Sequence, residues 1–436
     1  MSLESISFED VEKRIGESAS PGIRPGLDRA GLLLSLLGEP QGRYPALHVV
    51  GTNGKGSTCA FLASVFQAAG YRTALYTSPH LESPGERLLL DGQPLPPQRW
   101  MACAEKTIAA IRQSDVLRED PPSYFELVTA AAFLLAEEEK ADVAVVEAGL
   151  GGRLDATNLL SQVACTVVAS ISIDHTEYLG DTLEKIAGEK FAVVRRDIPA
   201  CYLGDVETLV PPFRRFCAAA GAQPFVVSQD AELRGIDVGE AGCTFDFSAP
   251  GLTLEGVHAQ LLGRYQVANA ALALSALSRL RGRFDRLTES AIRSGMGRAR
   301  WPGRLEVIAR SPLVVLDGGH NLDGVKKLAE SVVELWGSRK VGVVYGVMKD
   351  KNYPECLEVL AGLGAALYAT CVPGMERSLS PEGVMEAAER QPWRNAVAGF
   401  ANPLDAIAAA SRENEVVVVC GSLYLVGWVR ARLLAR

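Results

Sequence analysis

No disulfide frame or zinc site is written into this chain of 436 residues: its nine cysteines are odd in number, scattered, and never spaced as C-x-x-C. Thiols used in this way suit a reducing cytosol. Long apolar runs are missing too. None approaches the roughly 20 residues needed to span a bilayer, so no membrane association is expected. The start, MSLESISFEDVEKR, is acidic and polar, unlike a signal peptide. Positive charge is not in excess: 44 Lys and Arg against 52 Asp and Glu give a formal charge of −8. That argues against a polyanion-binding protein and against nucleic acid as a partner. Internal repeats and low-complexity tracts are absent. At 48% hydrophobic and 22% charged the composition is ordinarily globular. The length suggests two domains, at roughly 100–200 residues each. A cytoplasmic protein is expected.

What is present is alternation. Short β-branched runs at Ala46–Val50, Thr73–Thr77, Val143–Glu147 and Cys165–Ser170 alternate with helical patterns at Ser57–Ala69, Tyr124–Glu139 and Tyr265–Arg281. In the helix from Tyr124, the residues Phe125, Val128, Ala132 and Leu135 recur at helical spacing and predict one core-facing side. A second series follows Trp301-Pro302-Gly303. Its strands are Val314–Asp317, Lys340–Tyr345, Ala365–Cys371 and Val416–Cys420, and its helices are Asp323–Trp336, Pro381–Arg390 and Leu423–Leu434. Such alternation is the signature of α/β layers on a largely parallel sheet. The Gly- and Arg-rich segment Arg293–Arg304 reads as a hinge between domains. The region from about Gly221 to Gly263 reads as hairpins attached to the first domain.

The most informative stretch is His48-Val49-Val50-Gly51-Thr52-Asn53-Gly54-Lys55-Gly56-Ser57-Thr58. A short apolar strand enters a loop with three glycines, a lysine and hydroxyls, then an apolar helix. Glycines let backbone N–H groups turn toward phosphate oxygens, and the helix N-terminus adds partial positive charge. Lys55 would reach the terminal phosphates, and Ser57 or Thr58 would serve Mg²⁺ or a phosphate oxygen. A nucleoside triphosphate is the expected ligand of Gly51, Thr52, Asn53, Gly54, Lys55, Gly56, Ser57 and Thr58. Glu147 ends an apolar strand before a Gly-rich loop, where open α/β sheets place ligands. It reads as a Mg²⁺ ligand or as a solvated charge.

The loop G-T-N-G-K-G-S departs from the usual P-loop spacing and resembles that of the folylpolyglutamate synthase and dihydrofolate synthase family, within the Mur ligase superfamily. The likeness continues through Pro25–Arg29, Thr77–Leu81, Glu147–Asn158, Asp174–Gly180, Trp301–Arg304, Asp317–Asn321 and Gly421–Tyr424. It implies an α/β fold: a P-loop-containing parallel-sheet N-terminal domain plus a smaller Rossmann-like α/β C-terminal domain. The implied boundaries are residues 1–299 for an ATP-binding central domain and 300–436 for a glutamate ligase domain. The implied reaction is ATP-dependent addition of L-glutamate to a pteroate or folate carboxylate. ATP phosphorylates the carboxylate, and the glutamate amine then displaces phosphate. Phosphorylation supplies the leaving group that a carboxylate lacks, while the protein positions the reactants and offsets charge. A cell-wall Mur ligase is disfavoured, because only 50 residues precede Gly51 and a separate nucleotide-sugar domain would need more. A P-loop ATPase switch without a ligated product is the alternative from another class.

The resemblance also assigns residues. Ser78, Glu147 and His175, with Ser57, are implied at two Mg²⁺ ions, although a lone histidine is more often structural and Mg²⁺ prefers oxygen. Lys190 is implied to be carbamylated. A carbamate replaces a cation with two oxygens suited to Mg²⁺, whereas the ordinary alternative is a Lys190 ion-paired with Glu189 or another carboxylate. Lys55, Lys190 and His175 form the implied catalytic set. Asn269, Arg304, Asp317 and His320 are implied as a second ATP-binding set. Arg304 would fork onto phosphate, or instead make a surface salt bridge; Asp317 would meet ribose or adenine; His320 would do likewise, or cap the following helix. One nucleotide is therefore expected to need both Lys55 and Arg304. Acceptor contacts are implied for Gly26, Leu27, Asp28 and Arg29, for Tyr124, Phe125 and Glu126, and for Gly152, Arg153 and Asp155. Without the resemblance, Phe125 reads as core and Glu126 as an exposed helix charge. Expected cofactors are ATP and two Mg²⁺ ions, with room for a monovalent cation. Expected partners are small molecules alone, and the chain is expected to be a monomer.

Overall fold

Residues 6–393 and 397–435 are described by the computed structural model, so the first five residues of the polar start lie outside the described residues. Two units emerge. The first comprises residues 1–236, 245–259 and 268–299; the second comprises 237–244, 260–267 and 300–436.

The first unit is built on eight strands: β1 (Ala46–Val50), β2 (Thr73–Tyr76), β3 (Leu88–Leu90), β4 (Gln93–Pro94), β5 (Val143–Glu147), β6 (Val163–Val168), β7 (Pro199–Tyr202) and β8 (Gln223–Val226). Their order is β4-β3-β2-β5-β1-β6-β7-β8. The six strands from β2 to β8 run parallel, and β3 and β4 are added antiparallel at one edge. All residues of β1, β2, β5 and β6 are buried, which is why these strands read as continuous apolar runs without alternation. The chain leaves β1 for one side of the sheet and later returns to β6 on the other. That reversal puts the carboxyl end of β1 at a topological switch point.

The helix Tyr124–Glu138 departs from the expected single core face: Glu126 to Ala136 are all buried. It packs on the helices Pro97–Arg112, Asp28–Leu36 and Phe8–Gly16 on several sides, so periodicity had no exposed face to report. Of the expected hinge Arg293–Arg304, which contains the change of unit at residues 299 and 300, the first half is helical. Arg293 to Arg298 belong to a helix, Glu289–Arg298, which packs closely on the helix Lys55–Ala68. A Cβ on Gly295 would lie 2.7 Å from the backbone nitrogen of Val65, and Ser64 Oγ donates to Gly295 O at 2.7 Å. Here glycine allows close helix approach and does not break the helix.

After β8 the chain forms β9 (Glu232–Gly239), β10 (Gly242–Ala249) and β11 (Leu252–Ala259), a sheet of order β11-β10-β9. The hairpin reading of this region assigned it to the first domain, yet 237–244 and 260–267 belong to the second unit. Their contacts explain this: Cys243 Sγ reaches Leu261 O and Gly263 O, and Trp336 Nε1 donates to Glu240 Oε1 at 3.0 Å. The second unit's main sheet holds β12 (Glu306–Arg310), β13 (Leu313–Leu316), β14 (Val341–Tyr345), β15 (Ala366–Thr370), β16 (Val397–Phe400) and β17 (Val416–Cys420). Its order is β12-β13-β17-β14-β15-β16, parallel except for β12. Its core gathers Val315, Val343, Leu367 and Val418 from the strands with Leu328, Trp336 and Leu357 from the helices.

Candidate active site

Gly51 leaves β1 with φ 152°, and a Cβ there would lie 2.8 Å from Ala169 Cβ. Gly54 takes φ 82° as N-cap of the helix Lys55–Ala68, and a Cβ there would collide with the amide of Asn269. Only glycine suits these two positions. The loop bends so that Lys55 Nζ donates to Thr52 O at 3.1 Å and lies 3.8 Å from Glu147 Oε1. Thr58 Oγ1 is buried without a partner, in the first turn of a helix whose N-terminus favours anions. Asn269 belongs to the first unit, beside this loop. Arg304, Asp317 and His320, grouped with it in the sequence, are in the second.

Glu147 ends β5 and is only 6% exposed, so the solvated-charge reading is excluded. It accepts from Ser78 N at 3.4 Å, and Ser78 Oγ is buried with no hydrogen-bond partner. A buried carboxylate beside an orphaned hydroxyl fits Mg²⁺, which takes few protein oxygens and keeps the rest for water and phosphate. Among the described residues no group of three or more His, Cys, Asp or Glu side chains could hold a metal by itself. His175 has a half-exposed ring at φ 50° and heads the short helix Thr176–Leu179. Its Nε2 lies 4.0 Å from Asp174 Oδ1.

Lys190 is 3% exposed in the helix Leu183–Phe191, and its Nζ donates to Gly51 O at 2.7 Å. Burial first, and the Lys55 charge second, lower its pKa to about 7. The ordinary alternative of a Glu189 ion pair does not form. Glu189 Oε1 is held by Arg153 Nη2 at 2.9 Å, and Arg153 N donates to Glu189 O at 2.8 Å. A Cβ on Gly152 would lie 2.8 Å from that same carbonyl, so Gly152 and Arg153 seat their loop on the Lys190 helix.

Asp155 turns inward. Its Oδ2 accepts from Leu150 N at 2.8 Å, and its Oδ1 accepts from Thr157 N at 3.0 Å and Thr157 Oγ1 at 2.5 Å. Burial raises the pKa of this carboxyl despite those bonds. The Thr157 proton is committed to Asp155, so His48 Nε2, 2.9 Å from Thr157 Oγ1, is the donor to that hydroxyl. His48 Nδ1 is left bare, and burial lowers the imidazole pKa to about 3. His48 has no role in the phosphate-loop pattern, and a histidine inside an apolar strand is the one signal of its brace in the sequence.

The expected acceptor segment is held by charge. Arg29 Nη2 donates to Arg24 O at 2.7 Å and lies 3.3 Å from Glu126 Oε1. Glu126 is 3% exposed, which corrects the exposed-charge reading. It closes a capping box with Ser123, taking the Ser123 N–H at 2.7 Å. Gly26 takes φ 147°, Leu27 caps the helix Asp28–Leu36 without a side-chain bond, and Asp28 begins it. Tyr124 OH donates to Glu12 Oε1 at 3.2 Å. Phe125 is half-buried at the edge of the core and lies against Gly149, where a Cβ would come within 2.6 Å of its ring.

In the second unit Asp317 follows β13. It accepts from Leu305 N at 3.0 Å and Gly319 N at 2.8 Å, with the Tyr265 hydroxyl as a further partner. Burial raises its pKa. Arg304 Nη1 donates to Gly303 O at 3.2 Å, and its guanidinium lies so close over Gly318 that a Cβ there would displace it. His320 Nδ1 lies 3.0 Å from Gly318 O, and the following helix is capped by Asn321, whose Oδ1 accepts from Gly324 N at 2.9 Å. His320 is therefore not the cap.

Two family models match: the Mur ligase middle domain over residues 49–277 and the Mur ligase glutamate ligase domain over 303–423. The dihydrofolate synthase/folylpolyglutamate synthase of Bacillus subtilis is 34% identical over 435 residues, covering 98% of this chain and 99% of the relative. Mycobacterium tuberculosis folylpolyglutamate synthase complexed with ADP superposes with TM-score 0.90 at 30% identity, covering 98% of each chain. Escherichia coli FolC in complex with DHPP and ADP superposes with TM-score 0.87 at 30% identity, covering 99% of each.

Proposed function

This chain belongs to the folylpolyglutamate synthase/dihydrofolate synthase family of Mur ligases and is an ATP-dependent ligase, and from that premise we propose that it joins L-glutamate to dihydropteroate and to reduced folates. Both acceptors are included because the B. subtilis relative carries both names and the E. coli relative was solved with DHPP and ADP. The observation that carries the reading is the meeting of Lys55, Glu147 and the orphaned Ser78 hydroxyl at the carboxyl edge of the parallel sheet.

Lys55 and the backbone N–H groups of the loop hold the triphosphate and offset charge as the γ-phosphoryl passes to the acceptor carboxylate. Glu147 and Ser78 would hold Mg²⁺, which neutralises phosphate charge when bound. The family resemblance implies a phosphate contact for Arg304 and a nucleoside contact for Asp317. The Arg29–Glu126 pair and Phe125 shape the pterin end of the acceptor site, while Asp155 and His48 brace the loop after Glu147. The glutamate amine attacks the acyl phosphate, the C–O bond breaks, phosphate leaves and the amide forms. All nine cysteines are free thiols, all but Cys371 buried, which supports a cytoplasmic setting.

Lys190 is carbamylated in this reading: its amine is buried, has no carboxylate within ion-pair distance among the described residues and sheds its proton near neutral pH. Carbon-13-labelled CO₂ should give a carbamate NMR signal that Lys190→Ala abolishes. A signal that persists in the variant rejects the assignment. The reaction itself is tested by ADP release with dihydropteroate and with tetrahydrofolate, each with and without L-glutamate. Mass spectrometry should show one glutamyl residue gained; glutamate-independent ADP release would favour an ATPase.

A further inference from the structure

Thr52, the second residue of the phosphate loop, does not offer its hydroxyl proton to a ligand. Its Oγ1 donates to Ser172 O at 3.0 Å and accepts from Ser172 N at 3.1 Å. Its own N–H donates to Ser170 O at 2.7 Å. The next residue continues the pattern. Asn53 and Ser170 form an antiparallel bridge, Ser170 Oγ donates to Asn53 O at 3.3 Å, and Asn53 Nδ2 donates to Ser172 Oγ at 3.5 Å. A threonine hydroxyl has one proton, and here a carbonyl takes it. Ser172 is two and three residues before Asp174 and His175, and His175 N donates to Asp174 Oδ1 at 2.9 Å. Bonds in both directions on one residue fix a segment in position as well as orientation.

We propose that Thr52 is a positioning residue: its clasp on Ser170–Ser172 sets the Asp174–His175 segment relative to the phosphate loop, and its hydroxyl is not a nucleotide ligand. The proposal rests on the ligase reading above, with the Mg²⁺ role that the family resemblance implies for His175, for its catalytic consequence and on the hydrogen bonds alone for its structural one. The two segments follow adjacent strands, β1 and β6; beyond Val50 and Val168 the Asn53–Ser170 bridge joins the loops at Ser170, and the Thr52 hydroxyl extends that hold to Ser172. Without the hydroxyl Ser172 loses two bonds to the phosphate loop while Ile171 N–H stays on Asp205 Oδ2 at 3.3 Å, and errors of about 1 Å in reacting groups cost about 100-fold in rate.

Thr52→Val keeps the shape, removes the hydroxyl and leaves the Ser172 N–H and C=O without that partner. Hydrogen exchange followed by mass spectrometry should show faster exchange over residues 171–178 in the variant, reversed in Thr52→Ser. ADP affinity, measured by calorimetry, should stay within about twofold of the parent while kcat falls about 10- to 100-fold. If ADP affinity falls as far as kcat, the hydroxyl is a nucleotide ligand and the proposal is wrong. It is equally wrong if exchange over 171–178 is unchanged, or if exchange quickens without loss of kcat. Should the valine variant not fold, Thr52→Ala serves for the same comparison. A parent enzyme with no glutamyl transfer would overturn the ligase reading instead, and the exchange experiment would still decide the clasp.

Discussion

Lys55 and Lys190 are two lysines whose surroundings assign them opposite work. Lys55 Nζ lies 3.8 Å from Glu147 Oε1 and is placed to meet phosphate. Lys190 is buried against a carbonyl and close to that cation, so its own charge is disfavoured. Lys55→Ala should lower kcat about 100-fold or more, the scale of losing one charge-stabilising donor. Its thermal unfolding should match the parent, since the side chain supports no core; a matching loss of stability would argue against a phosphate role. His48 yields a pH prediction. Its pKa is lowered from 6.5 to about 3 in the folded protein, so the unfolded chain binds more protons between those values. This contribution is complete above about pH 6.5 and is lost as pH falls toward 3. Asp155, with a raised pKa, contributes the opposite slope, so the comparison must be between variant and parent. His48→Gln should show a shallower acid loss of denaturant midpoint than the parent, and parallel curves would contradict the buried neutral imidazole.

At the scale of elements, close packing places the phosphate loop. The helix Lys55–Ala68 is buried along most of its length, and the helix Glu289–Arg298 reaches it only because Gly295 has no side chain. Gly295→Val would force a branched side chain against the Val65 backbone. Overpacking of this kind costs about 1–3 kcal/mol, which urea unfolding should register as a lower midpoint. An unchanged midpoint would mean the helices part without penalty. The same contact explains why Arg293–Arg298 is helical although its glycines read as part of a hinge. Glycine marks a break in a sequence, but against a neighbouring helix it marks closeness, and one sequence carries no record of the neighbour.

On the scale of the whole molecule, the residues expected to serve one nucleotide are divided between two units, each with its own parallel sheet and core. Lys55 and Asn269 belong to one, and Arg304, Asp317 and His320 to the other. Arg304→Ala should therefore raise the KM for ATP about tenfold or more, the worth of a charge-assisted phosphate contact, while the unfolding transition stays in place. An ATP dependence equal to the parent's would remove Arg304 from the nucleotide site.

The parallel strands, the phosphate loop and Glu147 at a strand end could be read from residue order alone. Strands buried on both faces must be continuously apolar, and a phosphate loop needs its glycines and lysine at fixed offsets along the chain. The inward turn of Asp155, the His48–Thr157 brace and the Thr52 clasp could not, because each joins residues separated by loops and strands. Sequence likewise could not tell that Glu126 is buried or that Lys190 donates to the Gly51 carbonyl and leaves Glu189 to Arg153. Burial and partner choice depend on what packs from elsewhere in the chain, and only the tertiary structure decides that.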